Sequence, residues 1–299
     1  MKFIKKAAAL LLAFLMLLVP ATALADETNV TDTTTAESFV CYGDDLNSEQ
    51  FEKVMNLLGA DLSKDQLIKV TIDDEKALLG SIISADKIGS RSLSSARVTL
   101  TGEGTGISVT TQNINWVTSS MYSSALATAG VDNARIVVAA PVEVSGTAAL
   151  AGILKAYESP ASTQLSDEAK AVAGSEMVLT GDLADMIGSD DAVELLAMVK
   201  NAIAEYHLDD YDSLRPYVEQ GAKQLGVQLT EDQIDQITKL GVQIAKLDLD
   251  PEKLAGQLNG LVDNIQKIQK VQQSAGSIFT NIKTAVQGFF NWIGSWFKR

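Results

Sequence analysis

Ala96-Arg97-Val98-Thr99-Leu100-Thr101 and Ile107-Ser108-Val109-Thr110-Thr111-Gln112 alternate apolar and polar residues, the period of a strand with one buried face. Between them, Gly102-Glu103-Gly104-Thr105-Gly106 supplies the glycines that a tight reversal needs, so the two strands are expected to form a β-hairpin. The period then changes. Val117, Met121, Tyr122, Leu126 and Ala129 recur at helical spacing within residues 115–129, and Gly130 closes that helix. Residues 135–140 form a β-branched strand that Pro141 is expected to stop, and residues 146–157 form an Ala-rich apolar helix. Strand, helix, strand, helix in this order implies a right-handed crossover onto a sheet. The fold class is therefore α+β. A small mixed or antiparallel sheet with helices makes the N-terminal half, and an all-helical C-terminal half follows, ending in a long helix.

Working toward the N-terminus, Asn47 and Gln50 are spaced as a capping box, and Phe51, Val54, Met55 and Leu58 follow at helical spacing up to Gly59. Leu62-Ser63-x-x-Gln66 reads as a second box. The stretch 58–66 resembles 225–233, where Thr230 and Gln233 repeat the same chemistry. Residues 26–38 are polar and Thr-rich, a flexible leader. Before them, Lys2, Lys5 and Lys6 precede an uncharged apolar run, Pro20 breaks it, and Ala23-Leu24-Ala25 offers a cleavage box. Residues 1–25 are thus a signal peptide, and the mature chain is placed outside the cytoplasm, secreted or held at the cell surface, with no transmembrane span.

Cleavage would remove three lysines and no acid, taking the net charge from −14 to −17. Such a surface repels nucleic acid and anionic lipid headgroups unless it is strongly patterned, and it suits solubility, or a cationic partner or ion. The single cysteine, Cys41, cannot form an intrachain disulfide, and no His, Lys or Arg lies close enough in sequence to activate it, so it reads as a small buried hydrophobe.

From residue 159 onward helical patterns dominate. Ser166, Ser189, Asp212, Thr230 and Asp250 are candidate N-caps, and Pro251 suits a first helical turn. Apolar residues then recur in alternating steps of four and three from Leu254 to Trp296, interrupted by Gln272 alone. The organisation expected is a 39–158 α+β domain, a 159–250 helical domain, and a long amphipathic helix or helix pair over 251–299. The apolar face widens toward the end through Phe289, Phe290, Trp292, Trp296 and Phe297. Two readings of this tract stand side by side: a segment buried in the core, or a contact with a protein partner or a membrane surface.

The middle block carries a family resemblance. It lies in Ile88-Gly89-Ser90-Arg91-Ser92-Leu93-Ser94-Ser95-Ala96-Arg97-Val98, in Gly104-Thr105-Gly106-Ile107-Ser108-Val109, and in Ala139-Ala140-Pro141-Val142-Glu143-Val144-Ser145-Gly146-Thr147. These segments resemble the YpuA-like secreted proteins, the domain of unknown function 1002 family. The resemblance implies a bacterial exported protein. It implies no activity, and no catalytic residue is carried over from it.

Candidate chemistry is sparse. His207 is the only histidine and sits among Glu205, Asp209 and Asp210, where a solvated helix end is expected rather than a triad. Asp209, Asp210 and Asp212 lack the spacing of a calcium loop, so no metal site is expected. Neither a Walker loop nor a dinucleotide fingerprint is present, and no cofactor is expected. Ser145, Gly146 and Thr147 precede a helix and could present N–H groups to an anion, with Arg91 and Arg97 adding charge. The function expected is non-enzymatic binding or interaction at the cell envelope. The alternative is a cell-wall-directed hydrolase that uses two of the many acidic residues.

Overall fold

The computed structural model describes residues 37–80, 90–159 and 164–273, with side chains through residue 266. The described chain begins with β1 (Ser38–Gly43), α1 (Ser48–Leu58), β2 (Gln66–Val70) and α2 (Ile72–Leu79). Next come β3 (Ser95–Leu100), β4 (Ile107–Ile114), α3 (Ser119–Ala129), β5 (Ala134–Val144) and α4 (Thr147–Tyr157). Helices alone follow: α5 (Asp167–Ile187), α6 (Ser189–Tyr206), α7 (Tyr211–Leu225), α8 (Glu231–Ala245) and α9 (Pro251–Gln273). This is the expected α+β class, with a mixed five-stranded sheet first and helices after it.

The strand order is β2-β1-β3-β5-β4. β1 runs parallel to β2, β3 runs antiparallel to both β1 and β5, and β4 runs parallel to β5. The expected hairpin is thereby corrected, because β5 lies between β3 and β4. Its residues Ile136, Val138, Ala139 and Ala140 are all buried, a near-continuous apolar run that requires cover on both faces and takes an interior place in the sheet. The glycine-rich link bridges the start of β5 instead of making a tight turn. Thr101 N donates to Asn133 O at 3.2 Å, Gly106 N donates to Asn133 Oδ1 at 3.0 Å, and Ala134 N donates to Gly106 O at 3.1 Å.

Two further expectations change. Pro141 does not stop β5. The ladder is irregular there: Asn113, at φ 58°, forms a bulge in β4, and its side chain donates to Ala140 O at 2.8 Å. A proline is tolerated at such a site because no ladder donor is lost. The Ser63 box opens no helix, and β2 follows instead. Asp61 Oδ1 takes both the Ser63 amide (3.1 Å) and the Ser63 hydroxyl (2.6 Å), so Ser63 is committed to a local turn. The boxes at Asn47–Gln50 and Thr230–Gln233 both form as expected. Ser166 caps α5, whereas α7 is capped by Asp210 and not by Asp212.

The period-two alternation of β1 feeds two cores. Phe39 and Cys41 face α3 and α4, while Val40 meets Val54, Met55 and Leu58 of α1 on the other face. α4 sits very close to the sheet. A Cβ on Gly152 would lie 2.8 Å from that of Cys41, so only glycine permits this approach. α5 and α6 pack behind α3, and Leu195, Leu196, Leu214, Val218, Ile237 and Leu240 bind α6, α7 and α8 into a second cluster. α9 lies across α3 and α6, burying Leu254, Leu258, Leu261 and Ile265 at the start of the seam read from the sequence.

Candidate docking groove

The residues singled out by sequence fall in three places. Ser145, Gly146 and Thr147 do lead into α4, but this helix start already carries a carboxylate of the chain itself. The Thr147 hydroxyl donates to Glu75 Oε1, and Ala149 N donates to Ser94 Oγ at 3.0 Å. Gly146 has φ 97°, and a Cβ there would lie 2.6 Å from the Tyr122 hydroxyl, which explains the glycine. Burial pushes the Glu75 carboxyl up to about 7, although the Thr147 hydroxyl and Lys76 pull it down; its Oε2 is buried without a hydrogen bond.

Arg97 is not brought to this helix start. Ala96 and Val98 face the core that holds α4, so Arg97, between them, points to the opposite face of the sheet. There it grips Asp65, Nε to Oδ2 at 2.8 Å and Nη2 to Oδ1 at 3.0 Å, and Asp65 also accepts the Asp61 amide at 2.7 Å. Arg91 is exposed. Phe289, Phe290, Trp292, Trp296 and Phe297 lie outside the described residues. His207 caps α6 in the left-handed conformation and is exposed, as its acidic surroundings predicted. Among the described residues no cluster of three or more His, Cys, Asp or Glu is placed to hold a metal.

A cavity of about 560 Å³ lies elsewhere, between the β3–β4 link and α9. Three walls form it. Glu103–Val109 supply the link and the start of β4, which is the outermost strand on this side of the sheet. Ser119, Ser120 and Ser123 come from the first turns of α3. Lys253, Gly256, Gln257, Gly260 and Asn264 form one stripe along α9. The stripe is held in place at its N-terminal end. Lys253 Nζ pairs with Asp132 Oδ2 at 2.9 Å, Gln257 Nε2 donates to Val131 O at 2.9 Å, and Asp250 Oδ1 caps the helix through the Glu252 amide at 3.0 Å. Gly256 and Gly260 have open space where a side chain would be. The groove therefore combines serine hydroxyls, the apolar flanks of Ile107, Val109 and Leu261, and a helix wall that is open at Gly256 and Gly260.

The family model described as "Protein of unknown function (DUF1002)" matches residues 42–261, most of the chain. The chain belongs to the DUF1002 family. It is also 34% identical over 285 residues, 93% of this chain and 96% of the relative, to the "Uncharacterized protein YpuA" of Bacillus subtilis (strain 168). No solved structure matches it. Thus the resemblance read from residues 88–150 holds, and the family domain spans both the sheet and the helical half.

Sequence reasoning missed the groove in this DUF1002 chain. Its signal was a spacing, Gly256-x-x-x-Gly260, inside a helix whose apolar seam drew attention to the neighbouring stripe. Also missed was the pair Lys200–Glu176, since two charged residues inside apolar helices do not announce each other from 24 positions apart.

Proposed function

We propose that this DUF1002 protein is an exported, non-enzymatic binding protein of the cell envelope, and that the groove between β4 and α9 is where it takes apolar side chains of a partner. One observation carries the site: a cavity of about 560 Å³ whose helix wall, held at Lys253 and Gln257, is open at Gly256 and Gly260. Pockets of this size that join apolar flanks to a few polar groups are the ordinary form of a binding site. Glycines allow close approach of a bulky anchor, the kind of residue that dominates interface energy. Export is supported by the basic start, the apolar run and the Ala23-Leu24-Ala25 box. No described helix is long and apolar enough to cross a membrane.

Two experiments test this. N-terminal sequencing of the product from the culture fluid or cell wall is expected to begin at Asp26; an intact Met1 on a cytoplasmic product refutes export. Random peptides displayed on phage are then panned on the full chain and on the groove-filling variant Gly260→Trp. Enrichment of aromatic or aliphatic peptides on the first and not on the second supports the groove, and equal enrichment on both removes it.

A further inference from the structure

β4 closes the sheet on the groove side, and no strand lies beyond it among the described residues. We propose that this edge takes an extended segment of a protein partner as an added strand, whose alternate apolar side chains enter the groove. Such pairing rests on the groove's being a binding site, and it specifies the backbone and side-chain chemistry of the occupant.

The ladder with β5 sets which way the backbone of β4 faces. Ala134 N donates to Gly106 O at 3.1 Å, and Ala134 pairs with Ile107 in a parallel register. Successive residues of a strand turn their N–H and C=O groups to opposite sides. Ser108 and Thr110 therefore bond β5, while the N–H and C=O groups of Ile107, Val109 and Thr111 point out of the sheet. Ile107 and Val109 pair with Ala134 and Ile136, which face the core that holds α3, and both also line the cavity. The outward backbone and the groove thus belong to the same residues. A strand laid about 4.8 Å beyond β4 would carry every second side chain on that face, beside Ser119, Ser120 and Ser123 and the wall of α9.

The two edges of the sheet differ. β2 is short and carries Lys69, the kind of charge that blocks edge pairing. β4 is longer and contains neither a charged residue nor a proline, and only the bulge at Asn113 interrupts it. Nothing in its own sequence discourages a further strand. The approach is open as well. Gly104, Gly106, Gly256 and Gly260 all line the cavity, and each has open space where a Cβ would be. Charge then selects among extended segments. Lys253 is paired with Asp132 at 2.9 Å, so Glu103 sets the sign of the groove mouth, in a chain of net charge −14. Apolar residues alternating with uncharged or basic ones suit this edge, and acidic segments do not. A second copy of the chain would bring the same negative charge and is disfavoured on the same ground.

The test follows amide hydrogen exchange of the full chain by NMR, with and without the end-blocked peptide Lys-Thr-Val-Thr-Val-Thr-Lys. Without peptide, Ser108 and Thr110 should exchange slowly and Ile107, Val109 and Thr111 fast. With peptide at about ten times its Kd, the last three should slow about tenfold. Gly260→Trp should abolish this protection, with Gly256→Phe as the second blocking variant. Peptides N-methylated at the valines or at the threonines should bind in one form only, because a strand pairs through alternate amides. Binding that leaves the three amides unprotected, or that survives both methylations, overturns strand addition. If Gly260→Trp still abolishes that binding, the groove stands as a site for side chains alone. Slow exchange of the three amides without peptide overturns it too, in favour of a second copy if protection grows with protein concentration. A peptide that does not bind also overturns it. Displayed peptides retained by the chain and lost on Gly260→Trp would then leave the groove standing, whereas loss of both results would remove site and occupant together.

Discussion

Lys200 Nζ lies 2.7 Å from Glu176 Oε1 with both side chains fully buried, and the pair joins three helices. Ser124 and Thr128 of α3 complete it. Lys200 Nζ also donates to Ser124 O at 3.0 Å and Ser124 Oγ at 2.8 Å, and the Thr128 hydroxyl donates to Glu176 Oε2. Burial pulls the lysine pKa down against the attraction of Glu176. The cluster fixes α5 and α6 against the crossover helix of the sheet. Removing one partner strands a buried charge. Lys200→Met is therefore expected to cost about 3–5 kcal/mol, and the double variant Lys200→Met/Glu176→Leu clearly less, by urea denaturation. Equal losses would show that the ionic pairing contributes nothing.

Glu75 and Glu194 set a pH dependence. Burial pushes each carboxyl up to about 7 from a usual value near 4.5, with Asp191 and Asp190 adding to the effect at Glu194. Between those values the folded chain holds protons that the unfolded chain has released. Stability from these groups is thus complete below about pH 4.5 and is lost as pH rises through 7, at about 2–3 kcal/mol per group. Denaturation midpoints taken from pH 5 to pH 8 should fall, and Glu75→Gln with Glu194→Gln should flatten the slope. An unchanged slope in the double variant contradicts this.

Arg97 and Asp65 make a different prediction. Asp65 is buried and receives both nitrogens of the Arg97 fork, which hold its carboxyl below the usual range against the opposing effect of burial. Arg97→Ala should destabilise the fold by about 2 kcal/mol, and Arg97→Lys should recover only part of this, because an ammonium cannot reproduce two parallel bonds. Full recovery by lysine would argue for charge alone.

Cys41 is a built-in reporter of unfolding. Its thiol is buried against α4, where Sγ donates to Gly152 O at 2.9 Å. Native protein should leave it unlabelled by a thiol reagent at pH 8, with labelling that follows the unfolding transition in urea. Rapid labelling without denaturant would mean that α4 detaches readily.

These features differ in how far the sequence discloses them. Local chemistry is legible. Asn47, Thr230, Gly59 and Gly130 do in the structure what their types and spacings require. Leu62–Gln66 shows the limit. It carries the same pattern as Leu229–Gln233, yet Asp61 captures Ser63 and the chain beyond enters the sheet beside β1. The place of β5 between β3 and β4 is also invisible locally, since alternation gives a strand its faces and not its neighbours. The groove is harder still. It is made of what two glycines lack, by elements that lie some 150 residues apart, and no single stretch of sequence contains it.

The most direct test of the groove is a methyl NMR titration of the full chain with a peptide selected on it. Ile107, Val109, Leu258 and Leu261 line the cavity and should shift together, while Leu78 and Leu154, at a separate cleft between α2, α4 and α5, should stay still. Shifts centred on that second cleft, or none at saturating peptide, would contradict the proposed role of the groove.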